Sequence, residues 1–107
     1  MNRWVALCAA DDVEPGSIWQ GRLANGHKLA IYNVGGTVYV TDDACTHGEA
    51  SLSEDGTLDG PIVECGFHNG RFDVRTGKPC AMPCTEPLRC WPVRIIDGNV
   101  CVNDASA

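Results

Sequence analysis

Apolar and polar residues alternate along several short segments of the chain, and turn-forming dipeptides separate these segments. Asn25-Gly26, Gly35-Gly36 and Asp97-Gly98 each stand between apolar segments rich in β-branched residues. Such dipeptides supply the positive φ angles of two-residue hairpin turns. The pattern therefore predicts a meander of three strands at 17–24, 27–34 and 37–41, and a hairpin of strands at 93–96 and 99–102.

Further features of the sequence also predict short strands and turns. Within 37–41, the period of two places Val38 and Val40 on one face and Tyr39 on the other. Residues 3–7 predict an edge strand, and Glu14-Pro15-Gly16 predicts a turn. The chain shows no long amphipathic pattern with a helical period. The sequence therefore indicates an all-β protein.

The middle of the chain, roughly 43–87, departs from this pattern. It contains two segments that carry Cys and His, joined by Asp55-Gly56 and by a short strand predicted at 62–64. We interpret this stretch as a small subdomain inserted between the strands of a larger β unit. A chain of 107 residues is long enough for one domain with its own core, so we predict a single domain over 1–107.

Composition and charge narrow the class of protein. Apolar residues make up 44% of the chain and charged residues 21%, as in a soluble globular protein. The net charge of −6 argues against nucleic acid as a partner, because phosphate binding needs a basic surface. The charge either steers the chain towards basic protein surfaces or serves only its solubility.

Seven cysteines are many for this length, and their meaning depends on the compartment. The apolar run 4–10 is short for a signal peptide and is followed at once by Asp11-Asp12. Cys8 follows Leu7, which is a poor fit to a lipoprotein processing site. No stretch approaches the ~20 apolar residues of a membrane helix. We therefore expect a cytoplasmic protein with no membrane partner, whose thiols are reduced or bound to metal.

Four residues of metal-ligand type fall in two short segments, Cys45-Thr46-His47-Gly48 and Cys65-Gly66-Phe67-His68. The combined pattern is Cys-x-His, seventeen residues, then Cys-x2-His. Thiolate and imidazole ligands together suit iron–sulfur clusters or zinc. Structural zinc sites usually set one close pair of cysteines against a second close pair, whereas each pair here is mixed. The pattern favours a two-iron cluster, and a structural zinc-binding module stays as the alternative.

The residues CTH at 45–47 and CGFHNGRFD at 65–73 resemble the Rieske proteins. The resemblance covers about 4–103 and implies the fold of that family, three stacked antiparallel sheets with a small cluster-binding subdomain. It also implies one [2Fe–2S] cluster, in which one iron has two Cys ligands and the other two His ligands. The residues at these positions are Cys45 and Cys65 for the first iron, and His47 and His68 for the second.

Within this family, the chain is most similar to the small ferredoxins of bacterial aromatic-ring dioxygenase systems. Respiratory-chain members carry two further cysteines, joined as a disulfide, where this chain has Ala50 and Phe67. The resemblance implies a one-electron carrier that is not an enzyme by itself. It would connect a flavin-containing ferredoxin reductase with a terminal Rieske oxygenase. An alternative within the family is a small subunit of a reductase of the nitrite-reductase type.

Some residues near the metal pattern have expected roles of their own. Gly48, Gly66 and Gly70 either let backbone N–H groups point at cluster sulfurs or simply make turns. Pro83 resembles the proline of a family loop that covers the cluster. High-potential Rieske proteins carry a serine and a tyrosine where this chain has Gly70 and Phe72, and their hydroxyls donate to cluster sulfurs. The resemblance therefore implies a low reduction potential.

The other cysteines, the third histidine and the tryptophans have simpler interpretations. We expect His27 to be an exposed turn residue, because it follows Asn25-Gly26. Cys80, Cys84 and Cys90 could form a second metal site or a redox pair, but we expect them to be buried as small hydrophobic side chains, and we expect Cys101 in the core. We expect core or edge packing for Trp4, Trp19 and Trp91.

Overall fold

In a computed structural model of the protein, the described residues are 3–44, 50–66, 70–81 and 86–103. They form one short α-helix, α1 (Leu52–Asp55), a 3-10 helix at Ala10–Asp12, and eleven strands. The strands are β1 (Trp4–Ala9), β2 (Ile18–Arg22), β3 (Lys28–Val34), β4 (Thr37–Asp42), β5 (Thr57–Asp59), β6 (Ile62–Glu64), β7 (Arg71–Asp73), β8 (Pro79–Ala81), β9 (Cys90–Trp91), β10 (Val93–Ile96) and β11 (Asn99–Asn103).

The strands form three sheets, and every strand pair is antiparallel. The terminal sheet has the order β1-β11-β10, the middle sheet β2-β3-β4-β9, and the insert sheet β5-β6-β7-β8. The chain leaves the middle sheet after β4, builds α1 and the insert sheet, and returns as β9 to pair with β4. The expected all-β class is confirmed.

Strand β3 of the middle sheet is buried on both faces, which places it at the centre of the fold. Along β3, Leu29 and Ile31 lie in a core against the terminal sheet, whereas Ala30 and Tyr32 lie in a core against the insert sheet. This follows from the two-residue period of a strand. The terminal core also contains Val13, Leu23, Val40, Trp91, Val100 and Val102, and the insert core contains Ala50, Leu52, Val63, Cys65, Phe72, Val74 and Leu88.

The predicted hairpins are present, and one turn differs in length. Val34 faces Thr37 across one turn, so 35–36 is a two-residue turn as predicted, and 97–98 is another. At the first hairpin, Leu23 N donates to His27 O at 2.9 Å, so the loop has three residues, 24–26. Gly26 has a φ of 90° and its N–H donates to Leu23 O, which is the geometry of a turn followed by a glycine bulge.

The predicted strand at 62–64 is confirmed, while α1, β5, β7, β8 and β9 were not predicted. The predicted edge strand at 3–7 extends further, as β1, and pairs with β11. Each of the unpredicted elements has four residues or fewer, which is too short for a periodic signal. No helix among the described residues is long and apolar enough to cross a membrane.

The expected burial of the cysteines is correct for Cys101 and wrong for Cys80 and Cys90. Cys101 is buried on the central strand of the terminal sheet, whereas Cys80 and Cys90 are exposed. The reason is that β8 and β9 are edge strands of their sheets. Cys84 lies outside the described residues. Trp91 is buried, Trp4 is half-buried on edge strand β1, and Trp19 on edge strand β2 is 41% exposed.

Candidate metal centre

The structure describes the frame of the predicted metal site and one of its four predicted ligands. Cys65 lies within the described residues, whereas Cys45, His47 and His68 lie outside them. Gly48, Phe67 and Pro83 also lie outside the described residues. The first ligand-bearing segment is 45–49, and residues 44 and 50 flank it. The second is 65–69, and residue 70 follows it.

Strands β6 and β7 form a hairpin that is closed at Cys65 and Gly70. Cys65 follows β6 and Gly70 precedes β7, and Cys65 N donates to Gly70 O at 2.8 Å. Cys65 is 0% exposed and belongs to the insert core. Its thiol has no hydrogen bond to the described residues, whereas Cys80, Cys90 and Cys101 each donate to a backbone carbonyl. A buried thiol without such a partner fits a metal ligand.

The residues that flank the first segment, 43–44 and 50–52, form its base and are bound to each other. Ala44 and Ser51, on either side of it, form an isolated antiparallel bridge. Leu52 N donates to Asp43 O at 2.8 Å, just outside this bridge. Both ends of the segment are therefore fixed to each other immediately before Cys45 and shortly after residue 49.

The Asp43 carboxylate is buried at this base and accepts two hydrogen bonds. Asp43 is 2% exposed, and Ser51 Oγ donates to its Oδ2 at 2.6 Å, while Ser53 N donates to its Oδ1 at 2.8 Å. Ser51 also caps α1, because its Oγ accepts from Glu54 N at 3.3 Å. Sequence reasoning missed Asp43. The Ser51-x-x-Glu54 pattern is typical of a helix N-terminus and could have indicated α1, but it does not indicate that Asp43 binds the start of this helix.

Helix α1 contacts the second segment at its other end. A Cβ on Gly66 would overlap the carbonyl oxygen of Asp55, the last residue of α1. A Cβ on Gly56 would overlap Leu52 O and lie 3.3 Å from Glu64 O. We predicted a turn or a role towards the cluster for Gly66, and the structure adds this close backbone approach. Glycine is required here because no side chain fits.

A second group of polar side chains lies near Ala44 and Ala50, the residues that flank the first segment. His27 Nε2 and Asp42 Oδ1 are 2.8 Å apart, and Trp91 Nε1 donates to the same oxygen at 2.8 Å. Arg89 stacks on the Trp91 ring at 4.2 Å from its centroid. The expectation of an exposed turn residue at His27 was wrong: the ring is half-buried, because Asp42 and Trp91 both contact it.

A cleft of about 280 Å³ separates this group from the base of the first segment. Its lining residues are His27, Lys28, Asp42, Asp43, Ala44, Ala50 and Ser51. Among the described residues, no three His, Cys, Asp or Glu side chains gather in a way that could hold a metal ion. The cleft therefore offers no metal site from these residues alone.

The ion pair at the end of β7 is satisfied locally. Arg75 Nε donates to Asp73 Oδ1 at 3.0 Å, and Arg75 Nη2 donates to Oδ2 at 2.8 Å. These hydrogen bonds lower the pKa of the Asp73 carboxyl. Because its charge is already paired, Asp73 is not a candidate ligand.

Residues 3–92 match the family model of the Rieske [2Fe-2S] domain. The chain belongs to the Rieske family. The match confirms the expected [2Fe–2S] cofactor, and the donor types of the two segments fit it, because one cluster of this class takes two thiolates and two imidazoles.

Among individual Rieske proteins, the chain is similar to ferredoxins. The chain is 60% identical over 99 residues to the p-cumate 2,3-dioxygenase system, ferredoxin component, of Pseudomonas putida, covering 92% of this chain and 84% of that one. The solved Sphingomonas yanoikuyae B1 ferredoxin has a TM-score of 0.90 at 43% identity, covering 95% of this chain and 99% of that one. This likeness confirms the expected Rieske fold of three stacked sheets.

A further solved structure shows a similar chain with a partner. It is a complex of reduced oxygenase and oxidized ferredoxin in carbazole 1,9a-dioxygenase. The matched chain has a TM-score of 0.87 at 49% identity, covering 94% of this chain and 92% of that one. A Rieske protein of this size and fold thus exists in complex with an oxygenase.

Proposed function

We propose that this chain is a one-electron carrier of an aromatic-ring-hydroxylating dioxygenase system. It would accept electrons from a flavin-containing ferredoxin reductase and pass them to a terminal Rieske oxygenase. The observation that carries the proposal is the 60% identity to the ferredoxin component of the Pseudomonas putida p-cumate system. The proposal treats residues 1–107 as a single cytoplasmic domain, with the cluster-binding subdomain at roughly 43–87.

The proposed cluster ligands are Cys45 and Cys65 for one iron, and His47 and His68 for the other. When bound, such a cluster gains and loses one electron. The support within the described residues is the placement of Cys65, fully buried at the closed end of the β6–β7 hairpin. The role of the remaining chain is to hold the two segments and to keep water from the Cys65 side.

The relative's printed name favours a carrier over the alternatives. That protein is named a ferredoxin component, so we propose neither catalysis by this chain alone nor a small subunit of the nitrite-reductase type. A structural zinc module is disfavoured by the Rieske family match.

The first experiment tests the cluster and its ligands. Protein from iron-replete cells should contain about two irons and two acid-labile sulfides per chain, with a rhombic EPR signal after reduction. Cys65→Ala and His68→Ala should lose this signal. Cys101→Ala, a buried cysteine of the terminal sheet, is the matched control and should keep it. A colourless protein that contains only zinc would contradict the proposal.

The second experiment tests the pathway. The chain is combined with the reductase and terminal oxygenase of the Pseudomonas putida p-cumate system, and NADH-dependent hydroxylation of p-cumate is measured. Product should form only when the cluster-loaded chain is present, and Cys65→Ala should not support it. Product formation that is equally fast without the chain would contradict the carrier role. So would a chemically reduced chain that the oxidised oxygenase cannot reoxidise.

A further inference from the structure

Asp43 is placed so that both carboxylate oxygens are used by the beginning of α1. Oδ2 accepts from the Ser51 hydroxyl at 2.6 Å, and Oδ1 accepts from Ser53 N at 2.8 Å. The backbone carbonyl of Asp43 accepts from Leu52 N at 2.8 Å. A residue that lies only two positions before Cys45 is therefore bound to three consecutive residues of the helix start.

Helix α1 depends on such contacts for its position. It has four residues, and a helix of this length is not stable by itself. Leu52 anchors it in the insert core, and Gln20 Nε2 of β2 donates to Ser53 Oγ at 3.1 Å. Ser51 N donates to Asp55 Oδ2 at 3.3 Å. Of the two carboxylates in this set, that of Asp43 is buried and that of Asp55 is exposed.

The other end of α1 lies directly against the second ligand-bearing segment. The carbonyl oxygen of Asp55 occupies the space that a Cβ on Gly66 would need. Gly66 follows Cys65 in the chain. Helix α1 therefore stands between the base of the first segment and the backbone of the second, in contact with both.

We propose that Asp43 is a positioning residue for the cluster: its carboxylate fixes α1, and α1 sets the separation of the two ligand-bearing segments. This inference rests on the proposed ligand assignment. Residues that support metal ligands without touching the metal typically change metal affinity about 10- to 100-fold when they are replaced. We therefore expect replacement of Asp43 to speed the loss of iron from the cluster, although the Asp43 carboxylate itself is bonded to α1.

The test compares three variants of the cluster-loaded full-length protein. The rate of iron release to a ferrous chelator is measured after reduction, together with the EPR g-values and the reduction potential. Asp43→Ala should release iron about tenfold faster or more, and should shift or broaden the EPR signal. Asp43→Asn should be intermediate, because it keeps one carbonyl oxygen for Ser53 N. Ser51→Ala should have a smaller effect in the same direction.

A double variant tests the connection between the two residues. Asp43→Ala and Ser51→Ala remove the same hydrogen bond, so their effects on the release rate should not add. Release from the double variant should be close to that from Asp43→Ala alone. Fully additive effects would overturn the proposed connection. If Asp43→Ala does not fold, Asp43→Asn and Ser51→Ala carry the same test.

Two controls separate positioning from charge and from general stability. Asp59→Ala removes an exposed carboxylate of β5 and should leave the iron-release rate and the EPR g-values as in the wild type. Val102→Ala opens the terminal core and should lower the urea midpoint while leaving the EPR g-values unchanged. Asp43→Ala with the release rate and g-values of Asp59→Ala would overturn the inference. Retention of a wild-type cluster by Cys65→Ala would instead overturn the ligand assignment on which it rests.

Discussion

The phenyl ring of Phe72 lies in the same buried core as Cys65, and both residues are fully buried. Hydrogen bonds to cluster sulfurs stabilise the additional negative charge of a reduced cluster and so raise its potential. Phe72 has no donor, and Gly70 has no side chain. The protein therefore lacks hydroxyl groups at the two positions where high-potential Rieske proteins carry them.

We predict a reduction potential near the low end of the Rieske range, roughly −150 mV. Phe72→Tyr should raise the potential by adding a donor, whereas Phe72→Leu should leave it unchanged. Protein-film voltammetry of the three proteins checks this. An unpaired hydroxyl in this core would cost about 1–3 kcal/mol, so the urea midpoint of Phe72→Tyr shows whether it is bonded. A wild-type value well above zero, or no rise in a loaded Phe72→Tyr, would contradict the explanation.

Cys90 is an exposed residue of edge strand β9, but its Sγ is partly buried and donates to Val74 O at 3.9 Å. Burial raises its pKa above the ordinary 9.0, and the charges of Asp73 and Asp42 raise it further. Because the thiolate is the reactive form, alkylation by iodoacetamide should inflect above pH 9.0. Asp73→Asn should move the inflection to lower pH. Peptide mapping by mass spectrometry measures both, with exposed Cys80 as the internal reference; an inflection below pH 8 would contradict the prediction.

At the scale of elements, the predictable strands are those with a local signal at both ends. The turns at 35–36 and 97–98 are determined by their own dipeptides, so the hairpins around them could be predicted. Strand β9 has two residues and exists because the chain returns to pair with β4 after the insert sheet. Such a pairing depends on residues about fifty positions apart, and no short pattern indicates it.

The candidate site divides in the same way. Its four proposed ligands stay a prediction from residue type, spacing and the Rieske resemblance, and the structure describes only Cys65 among them. Asp43 could not be predicted, because Asp42-Asp43 at the end of a strand is also typical of a solvated turn. Its burial results from the packing of α1 onto the insert core, a contact between separate parts of the chain. His27 was misjudged for the same reason, since Asp42 and Trp91 lie far from it in sequence.

Gly77 in the β7–β8 connection provides an element-scale test of such contacts. Gly77 and Gly36 both have positive φ angles, 80° and 98°. Only at Gly77 would a Cβ overlap a neighbour, the carbonyl oxygen of Leu88, and Leu88 N donates to Gly77 O at 2.8 Å. This contact joins the insert sheet to the segment that returns to the middle sheet.

We expect Gly36→Ala to lower the free energy of unfolding by about 1–2 kcal/mol, the usual cost of a left-handed backbone without glycine. Gly77→Ala should cost at least ~1–3 kcal/mol more, because backbone must also move. Urea unfolding of the loaded proteins, followed by circular dichroism, measures both changes. Equal losses in the two variants would show that the Gly77–Leu88 contact is not tight.

At the scale of the whole molecule, the negative charge is concentrated in one part of the chain. Residues 43–87 contain eight Asp or Glu and three Lys or Arg, so they carry −5 of the net −6. The same stretch contains the insert sheet and both ligand-bearing segments. An uneven charge distribution orients a protein as it approaches a charged partner. We expect this acidic stretch to contact a basic surface of the partner.

The last prediction is that association with the oxygenase depends on this acidic stretch and on salt. The concentration of the chain that gives half-maximal oxygenase turnover should rise severalfold between low salt and about 0.5 M salt, because ions screen exposed charges.

Glu54→Gln combined with Asp59→Asn should weaken the salt dependence, since both side chains are exposed in the acidic stretch. Asp11→Asn combined with Asp12→Asn removes the same amount of charge from the exposed 3-10 helix and should change the salt dependence less. The turnover assay is run with the carrier limiting. Equal effects of the two pairs would mean that net charge, and not its placement beside the ligand-bearing segments, steers docking; a rate independent of salt would exclude steering altogether.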